Sequence, residues 1–105
     1  MREVVLSADA LRDVEDATSW WDEHRPDARG LVVDELAAAL DHLGEHATTL
    51  PVFQRIGSSF VVRRYLLPRT RRHIYFTVEA DRVLVLAVWG SVRAVLPRLR
   101  ARTRT

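Results

Sequence analysis

Arginine is the residue whose number and position offer the most chemistry in this chain of 105 residues. The sequence has 16 arginines and no lysine. Arg63, Arg64, Arg72 and Arg93 lie in or just beyond three apolar runs of the second half, and a guanidinium group binds phosphate through two parallel hydrogen bonds. We expect these four to converge on one phosphate-sized or target-binding site. The alternative is that they pair with acidic residues of a partner protein or of this chain.

His73 and Tyr75, two residues apart in one apolar run, are the candidates for acid–base chemistry. A histidine can act as a general base because its unperturbed pKa lies near neutral pH. The alternative is that the two side chains pack together at a polar edge, so the catalytic residues stay unknown. His42 and His46 have the i,i+4 spacing of helical metal ligands, but no third ligand is evident. The sequence predicts no metal and no cofactor, since it also has no glycine-rich phosphate loop or nucleophile elbow.

Charge is divided unevenly along the chain, although the net charge is only +2. Residues 1–50 carry 4 arginines against 12 acidic residues, and residues 51–105 carry 12 arginines against 2. The second half should therefore attract phosphates or carboxylates, and the first half should repel them. A genome rich in G and C also favours arginine codons, which is a non-functional explanation of the composition.

Three apolar runs must hold these arginines in place. Residues 60–67, 71–78 and 82–89 are rich in Val, Ile, Leu, Tyr and Phe and are separated by short polar breaks. Breaks this short exclude parallel crossovers, so the pattern predicts an antiparallel meander. Residues 83–89 are apolar at every position, and we expect them to form the central strand.

The first half of the sequence predicts a short strand and two helices. Residues 3–6 are the strand candidate, and Ser7 stands where a helix N-cap is expected. The first helix should bury Leu11, Val14, Thr18 and Trp21 and end near His24 or Arg25, since Pro26 follows. The second helix should begin at Pro26. Its apolar stripe comprises Ala28, Val32, Leu36, Ala39, Leu40 and Leu43. We expect residues 52–59 to be a loop or an irregular edge strand.

Together these elements predict a single α+β domain over residues 1–97. A short N-terminal strand precedes an antiparallel two-helix hairpin, which packs on the antiparallel three-stranded meander because each has one apolar face. Residues 98–105 alternate arginine with small or apolar residues and are expected to be a basic, flexible tail. The sequence has no cysteine, no signal peptide pattern and no apolar run near the ~20 residues that span a bilayer, so we expect a cytoplasmic protein without membrane contact.

The order of these elements resembles the RelE/ParE superfamily of type II toxin–antitoxin toxins, from about Val4 to Leu99. The strand, the hairpin and the meander each carry a short matching motif. The motifs are Leu-Ser-Ala-Asp-Ala-Leu at residues 6–11, Trp20-Trp21 with Pro26, Leu-Ala-Ala-Ala-Leu at 36–40 with Leu43 and Pro51, Arg63-Arg64, Tyr75-Phe76, and residues 83–93 with Pro97 and Leu99. The resemblance implies a toxin neutralised by a cognate antitoxin in a hetero-oligomer.

The departures from the family pattern favour one branch. Many members have a histidine where Gly90 falls, and the messenger-cleaving branch adds lysines along the sheet and a tyrosine or histidine near the C-terminus. This chain has no lysine, and no Tyr, His, Asp or Glu follows Arg93. The resemblance therefore favours the ParE-like branch, whose members resemble inhibitors of DNA gyrase. The alternatives are a RelE-like endonuclease that cuts messenger RNA on the ribosome by 2′-hydroxyl attack, and an inactive protein that keeps the toxin fold.

The antitoxin is expected to contact both halves of the molecule. Trp20 and Trp21 cannot both face the same core, so one of them should be available to a partner. Arg55 and Arg71 are the expected partners for acidic residues of the antitoxin on the basic side.

Overall fold

The apolar runs of the sequence come together in one five-stranded sheet. The structure is a computed structural model that describes residues 1–90 and 99–105. The strands lie in the order β1-β5-β4-β3-β2, and consecutive strands from β2 to β5 pair antiparallel. In chain order the elements are β1 (Glu3–Leu6), α1 (Ala8–His24), α2 (Leu31–His46), β2 (Val52–Ile56), β3 (Phe60–Leu67), β4 (Arg72–Val78) and β5 (Arg82–Gly90).

Strand β5 is buried on both faces, as its uninterrupted apolar sequence predicts. Val83, Val85 and Val88 face the two helices, and Leu84, Leu86 and Trp89 face the opposite side of the sheet, which we call the open face. Strand β5 lies between β1 and β4, so it is internal, but β4 occupies the middle of the five. Strand β5 is internal because β1 pairs parallel with its outer side, and β4 is the middle strand because β2 extends the sheet beyond β3.

Helix α1 begins and ends where the sequence predicts, but its buried stripe is different. The Ser7 side chain caps the helix by accepting a hydrogen bond from the backbone N–H of Ala10, and α1 ends at His24, before Pro26. The fully buried residues are Ala10 and Ala17. Of the predicted stripe, Val14, Thr18 and Trp21 are partly buried, with Val14 packed against the core, whereas Leu11 is 51% exposed.

Helix α2 starts five residues later than predicted. Pro26 opens a single 3-10 turn, Pro26–Ala28, and Gly30 then takes a left-handed conformation with φ of 82° before α2 begins at Leu31. Glycine adopts this conformation without a steric penalty. The rest of the predicted stripe is confirmed, because Val32, Leu36, Ala39 and Leu43 are all buried. No helix of the described residues is long and apolar enough to cross a membrane.

The end of the chain lies against the domain. Leu99 is 2% exposed and packs on the open face with Val62 and Leu84. The backbone N–H of Ala8 donates a hydrogen bond to the carbonyl of Arg104 at 2.8 Å. Residues 99–104 therefore contact the body of the protein, which differs from the flexible tail that the sequence predicts. The sequence did not indicate this packing, because one leucine among alternating arginines gives no periodic apolar pattern.

We expect Leu99→Ala to lower the free energy of unfolding by about 2–4 kcal/mol, since truncating a buried leucine leaves a cavity. Thermal or denaturant melts of the full chain would measure this. Thr103→Ala, at an exposed position of the same segment, is the control and should melt like the original. An unchanged melt for Leu99→Ala would show that the segment does not pack as described.

Candidate functional site

The two adjacent arginines of β3 point to opposite faces of the sheet. Arg63 lies opposite Phe76 and faces the helices, whereas Arg64 lies opposite Tyr75 on the open face. The alternation of side chains along a strand requires this separation. Arg63 donates from Nη1 to the carbonyl of Leu50 at 2.6 Å, so its guanidinium is joined to the segment that enters β2.

Arg64 lies over an aromatic ring. Its guanidinium carbon lies 4.7 Å from the centre of the Phe53 ring, a cation–π contact. Its backbone N–H donates to the carbonyl of Pro51 at 3.2 Å. The Phe53 ring in turn contacts Tyr75 edge-on at 5.1 Å. Arg64 therefore occupies a fixed position above an aromatic layer on the open face.

Arg72 lies at the other end of the sheet, beside α1. Burial lowers its pKa from the ordinary value, an effect that the nearby charge of Asp13 opposes. Its Nε is buried without a hydrogen-bond partner among the described residues. It lines a cavity of about 380 Å³ with Asp13, Asp16 and Trp20 of α1 and with the end of β5.

The structure does not bring the predicted arginines together. Arg63 and Arg64 are on opposite faces, and Arg72 pairs with Leu67, four residues along β3 from Arg63. Four residues of strand span about 13 Å. Arg93 lies outside the described residues. The convergence expected from the sequence is therefore absent for the three arginines that the structure describes.

His73 and Tyr75 share the open face, as predicted, with ring centres 6.0 Å apart. Tyr75 is 3% exposed and packs between Phe53 and Trp89. Burial is the largest cause that lowers the pKa of His73, and the charges of Arg64 and Arg71 lower it further. The lowered pKa favours the neutral imidazole, and the tyrosine is part of a packed aromatic layer. As an acid–base pair they are poorly presented to a substrate.

The residues predicted to bind a partner are exposed to different extents. Trp20 is 48% exposed and stacks on His24, with ring centres 4.4 Å apart. Trp21 is partly buried, and the guanidinium carbon of Arg25 lies 5.5 Å from its ring centre. Arg55 is exposed on β2, the edge strand. Arg71 is exposed in the turn between β3 and β4, where it has a φ of 61°.

Three residues that position this region were not identified as functional from the sequence. Ser7 was predicted only as a helix cap, but its hydroxyl also donates to the carbonyl of Leu86 at 3.4 Å. Asp13 accepts from the backbone N–H of Val88 and from Arg102, each at 3.0 Å. Glu35 accepts from the backbone N–H groups of Arg69 and Thr70, in the turn between β3 and β4. The contacts that these three residues make with Leu86, Val88, Arg102 and the β3–β4 turn each join residues more than 30 positions apart, so no local sequence pattern reveals them.

Glu35 of α2 clamps the turn that carries Arg71. Its carboxylate accepts hydrogen bonds from the backbone N–H of Arg69 at 2.7 Å, from that of Thr70 at 3.0 Å and from the Thr70 hydroxyl at 2.7 Å. Burial alone would raise the pKa of Glu35, but these hydrogen bonds, with the charge of Arg69, lower it overall. The helix hairpin therefore fixes the conformation of the β3–β4 turn.

The described residues contain no group of three or more side chains suited to hold a metal ion. His42 and His46 do lie together, with ring centres 4.9 Å apart, and His42 also stacks on Tyr65 at 5.2 Å. His42 therefore packs on the side of α2 that faces β3, whereas His46 is exposed.

The fold, but not the sequence, is similar to a known protein. No family model matches the chain, and no curated protein matches it significantly. Among solved structures, a chain of the chromosomal ParDE toxin–antitoxin system of P. aeruginosa superposes with a TM-score of 0.71. The match covers 86% of this chain and 96% of that chain at 15% identity. The chain therefore has a ParE-like α+β fold, as the sequence predicts.

We expect Glu35→Gln to lower the free energy of unfolding at neutral pH, because the amide accepts fewer and weaker hydrogen bonds than the carboxylate does. The expected loss is only about 1 kcal/mol, or roughly 5 °C in Tm, because the carboxylate is partly exposed. A carboxyl group whose folded pKa is depressed stabilises fully above its ordinary pKa of 4.5. That stabilisation is lost as the pH falls through the folded-state pKa.

Melts of Glu35→Gln and the original, recorded from neutral to acidic pH, would measure this difference. Glu15→Gln, at an exposed position of α1, is the matched control. A Glu35→Gln deficit that stays constant down to the most acidic melt would contradict a role for the carboxylate charge.

Proposed function

We propose that this chain is the toxin component of a type II toxin–antitoxin system, of the ParE-like branch, and that it acts in the cytoplasm. The observation that carries the proposal is the ParE-like fold, which extends over 86% of the chain. We further propose that the toxin inhibits growth by binding DNA gyrase and that a cognate antitoxin neutralises it.

Binding is favoured over catalysis by the state of the candidate acid–base pair. Tyr75 is buried in the aromatic layer, and one nitrogen of His73 is also buried. A general base must come within hydrogen-bond reach of the proton that it removes. What the basic half of the molecule does present is guanidinium groups, at Arg55 and Arg71, which recognise a partner without chemistry.

The surface suits an antitoxin segment that folds on binding. Leu11, Trp20 and Val33 are each about half exposed on the two helices, and β2 is an edge strand with open backbone hydrogen-bonding groups. Disordered tails use both kinds of surface, as an added helix or as an added strand. A basic part of the segment would then bind the acidic helices, and an acidic part would bind the basic sheet.

The proposal predicts a specific form of growth arrest. Induced expression in a bacterial host should cause filamentation and DNA-damage signalling while messenger RNA stays intact, and the purified protein should inhibit gyrase supercoiling. Co-expression of the antitoxin should restore growth. Rapid arrest of translation with cleaved messages would instead identify a RelE-like endonuclease. Normal growth at full expression would identify an inactive protein with the toxin fold.

Arg93 gives a second test, based on the sequence alone. We expect Arg93→Ala to abolish toxicity at little cost in stability, because an exposed arginine contributes at most about 1 kcal/mol through surface pairing. Arg93→Lys should restore toxicity only in part, since lysine lacks the planar fork. Growth assays and melts should be run on the same proteins, with the exposed Arg29→Ala as the control. A stable and fully toxic Arg93→Ala protein would contradict a role in target binding.

A further inference from the structure

We propose that the cavity between α1 and the adjoining ends of β4 and β5 binds a zwitterionic ligand with an apolar body, such as a free aromatic amino acid. This inference goes beyond the proposed toxin function and does not depend on it. It rests on two side chains of opposite charge, Arg72 and Asp16, which line the same cavity. They form no ion pair with each other or with any other described residue.

Strand pairing and one hydrogen bond bring the walls of this cavity together. Arg72 lies directly opposite Gly90 across β4 and β5, and residues opposite each other in a sheet are on the same face. The carboxylate of Asp13 accepts a hydrogen bond from the backbone N–H of Val88 at 3.0 Å, which joins α1 to the same end of β5. The cavity has a volume of about 380 Å³, which is within the range of small-molecule sites, about 300–1,000 Å³.

Helix α1 contributes one of its faces to the cavity. Its lining residues have the i, i+3, i+4, i+7 spacing of a single helix face, and they are Asp13, Asp16, Ala17 and Trp20. Trp20 is 48% exposed, and its indole stacks on the His24 ring with 4.4 Å between centres and 10° between planes. The stack holds the indole as a flat apolar wall. An aromatic ligand that covers this wall gains from ring–ring contact.

Arg72 provides a cation that its neighbours do not balance. The side chain is partly buried, and its Nε has no hydrogen-bond partner among the described residues. Asp13, the acid whose charge acts on Arg72, lies 3.0 Å from Arg102 in a closer ion pair. A charge that is removed from water costs free energy unless it is paired. A ligand carboxylate would pair with the outer nitrogens Nη1 and Nη2, because Nε is the only nitrogen of Arg72 that is buried without a partner.

Asp16 determines the second charge of the ligand. It is exposed where it lines the cavity, whereas Asp13 is engaged by Arg102. The cavity thus presents one cation and one anion that are not paired among the described residues. A phosphate or a dicarboxylate would be repelled by Asp16, and a simple amine would be repelled by Arg72. A ligand with one carboxylate and one ammonium group compensates both, and this is the charge pattern of an amino acid.

Gly90, which also lines the cavity, leaves room for the ligand. A β-carbon at this position would have no described atom within 4 Å. The φ of Gly90 is not positive, so the backbone conformation does not require glycine. Gly90→Val should therefore fill part of the cavity, add no charge and leave the fold intact, since valine suits a strand.

The test is a titration of the full chain with L-phenylalanine, measured by isothermal calorimetry and by tryptophan fluorescence. We expect saturable binding. Arg72→Gln and Asp16→Asn should each weaken it about tenfold or more, because each removes a charge-assisted contact. Arg71→Gln and Glu15→Gln are the matched controls and should bind normally, since both positions are exposed sequence neighbours that do not line the cavity.

Gly90→Val separates ligand binding from charge and from folding. It should melt like the original and lose most of its binding of phenylalanine, because the valine side chain occupies part of the cavity. Normal binding by a folded Gly90→Val protein would overturn the proposal. So would the absence of saturable binding to the original chain, or Arg72→Gln and Asp16→Asn proteins that melt and bind like their controls.

Two analogues of phenylalanine test the requirement for both charges. Phenylpropionate lacks the ammonium group and phenethylamine lacks the carboxylate, so each should bind more weakly than phenylalanine. Asp16→Asn should remove the preference for phenylalanine over phenylpropionate, and Arg72→Gln should remove the preference over phenethylamine. Equal affinity of the original chain for phenylalanine and for either analogue would contradict a site that pairs both charges.

Discussion

Strand β5 is longer than its neighbour β1, and the part of β5 that has no strand beside it on that side must be paired by other elements. The pairing with β1 ends at Val85, so the following residues have one side of the backbone without a strand. Buried backbone groups must find partners, and α1 supplies them through Ser7 and Asp13, which bind Leu86 and Val88. Asp13 then binds Arg102 as well. One carboxylate thus joins a helix, the edge of a buried strand and the end of the chain.

The division of charge seen in the sequence becomes a division between layers. The acidic residues of the first half lie mostly on the two helices, and the described arginines of the second half lie mostly on the sheet and its turns. Ion pairs cross between the layers at few places, Asp13 with Arg102 being the most buried of those described. Among the described residues, no ion pair joins Arg55, Arg64 or Arg71 to an acidic side chain, and a partner with negative charge would complete the electrostatics of the sheet.

The sequence predicted the elements well because their signals are local. Residues 83–89 are apolar throughout and form β5, Ser7 caps α1, and Pro26 follows its last turn. The alternation of side chains along a strand also predicts that Arg63 and Arg64 lie on opposite faces. The expectation that these two arginines converge did not take it into account. The contacts of Glu35, Asp13 and Leu99 could not be predicted, because each depends on which residues distant in the chain become neighbours.

The parallel pairing of β1 with β5 and the contact of Ala8 with Arg104 have a kinetic consequence. Both join the beginning of the chain to its end, and the hydrogen bond from Ser7 to Leu86 alone spans 79 positions. Contacts this distant close large loops late and slow the folding of a small domain. On a ribosome, β1 cannot pair until residues 82–90 have been made. A newly synthesised molecule therefore passes through a stage in which both helices have been made but β5, the strand on which α1 packs, has not.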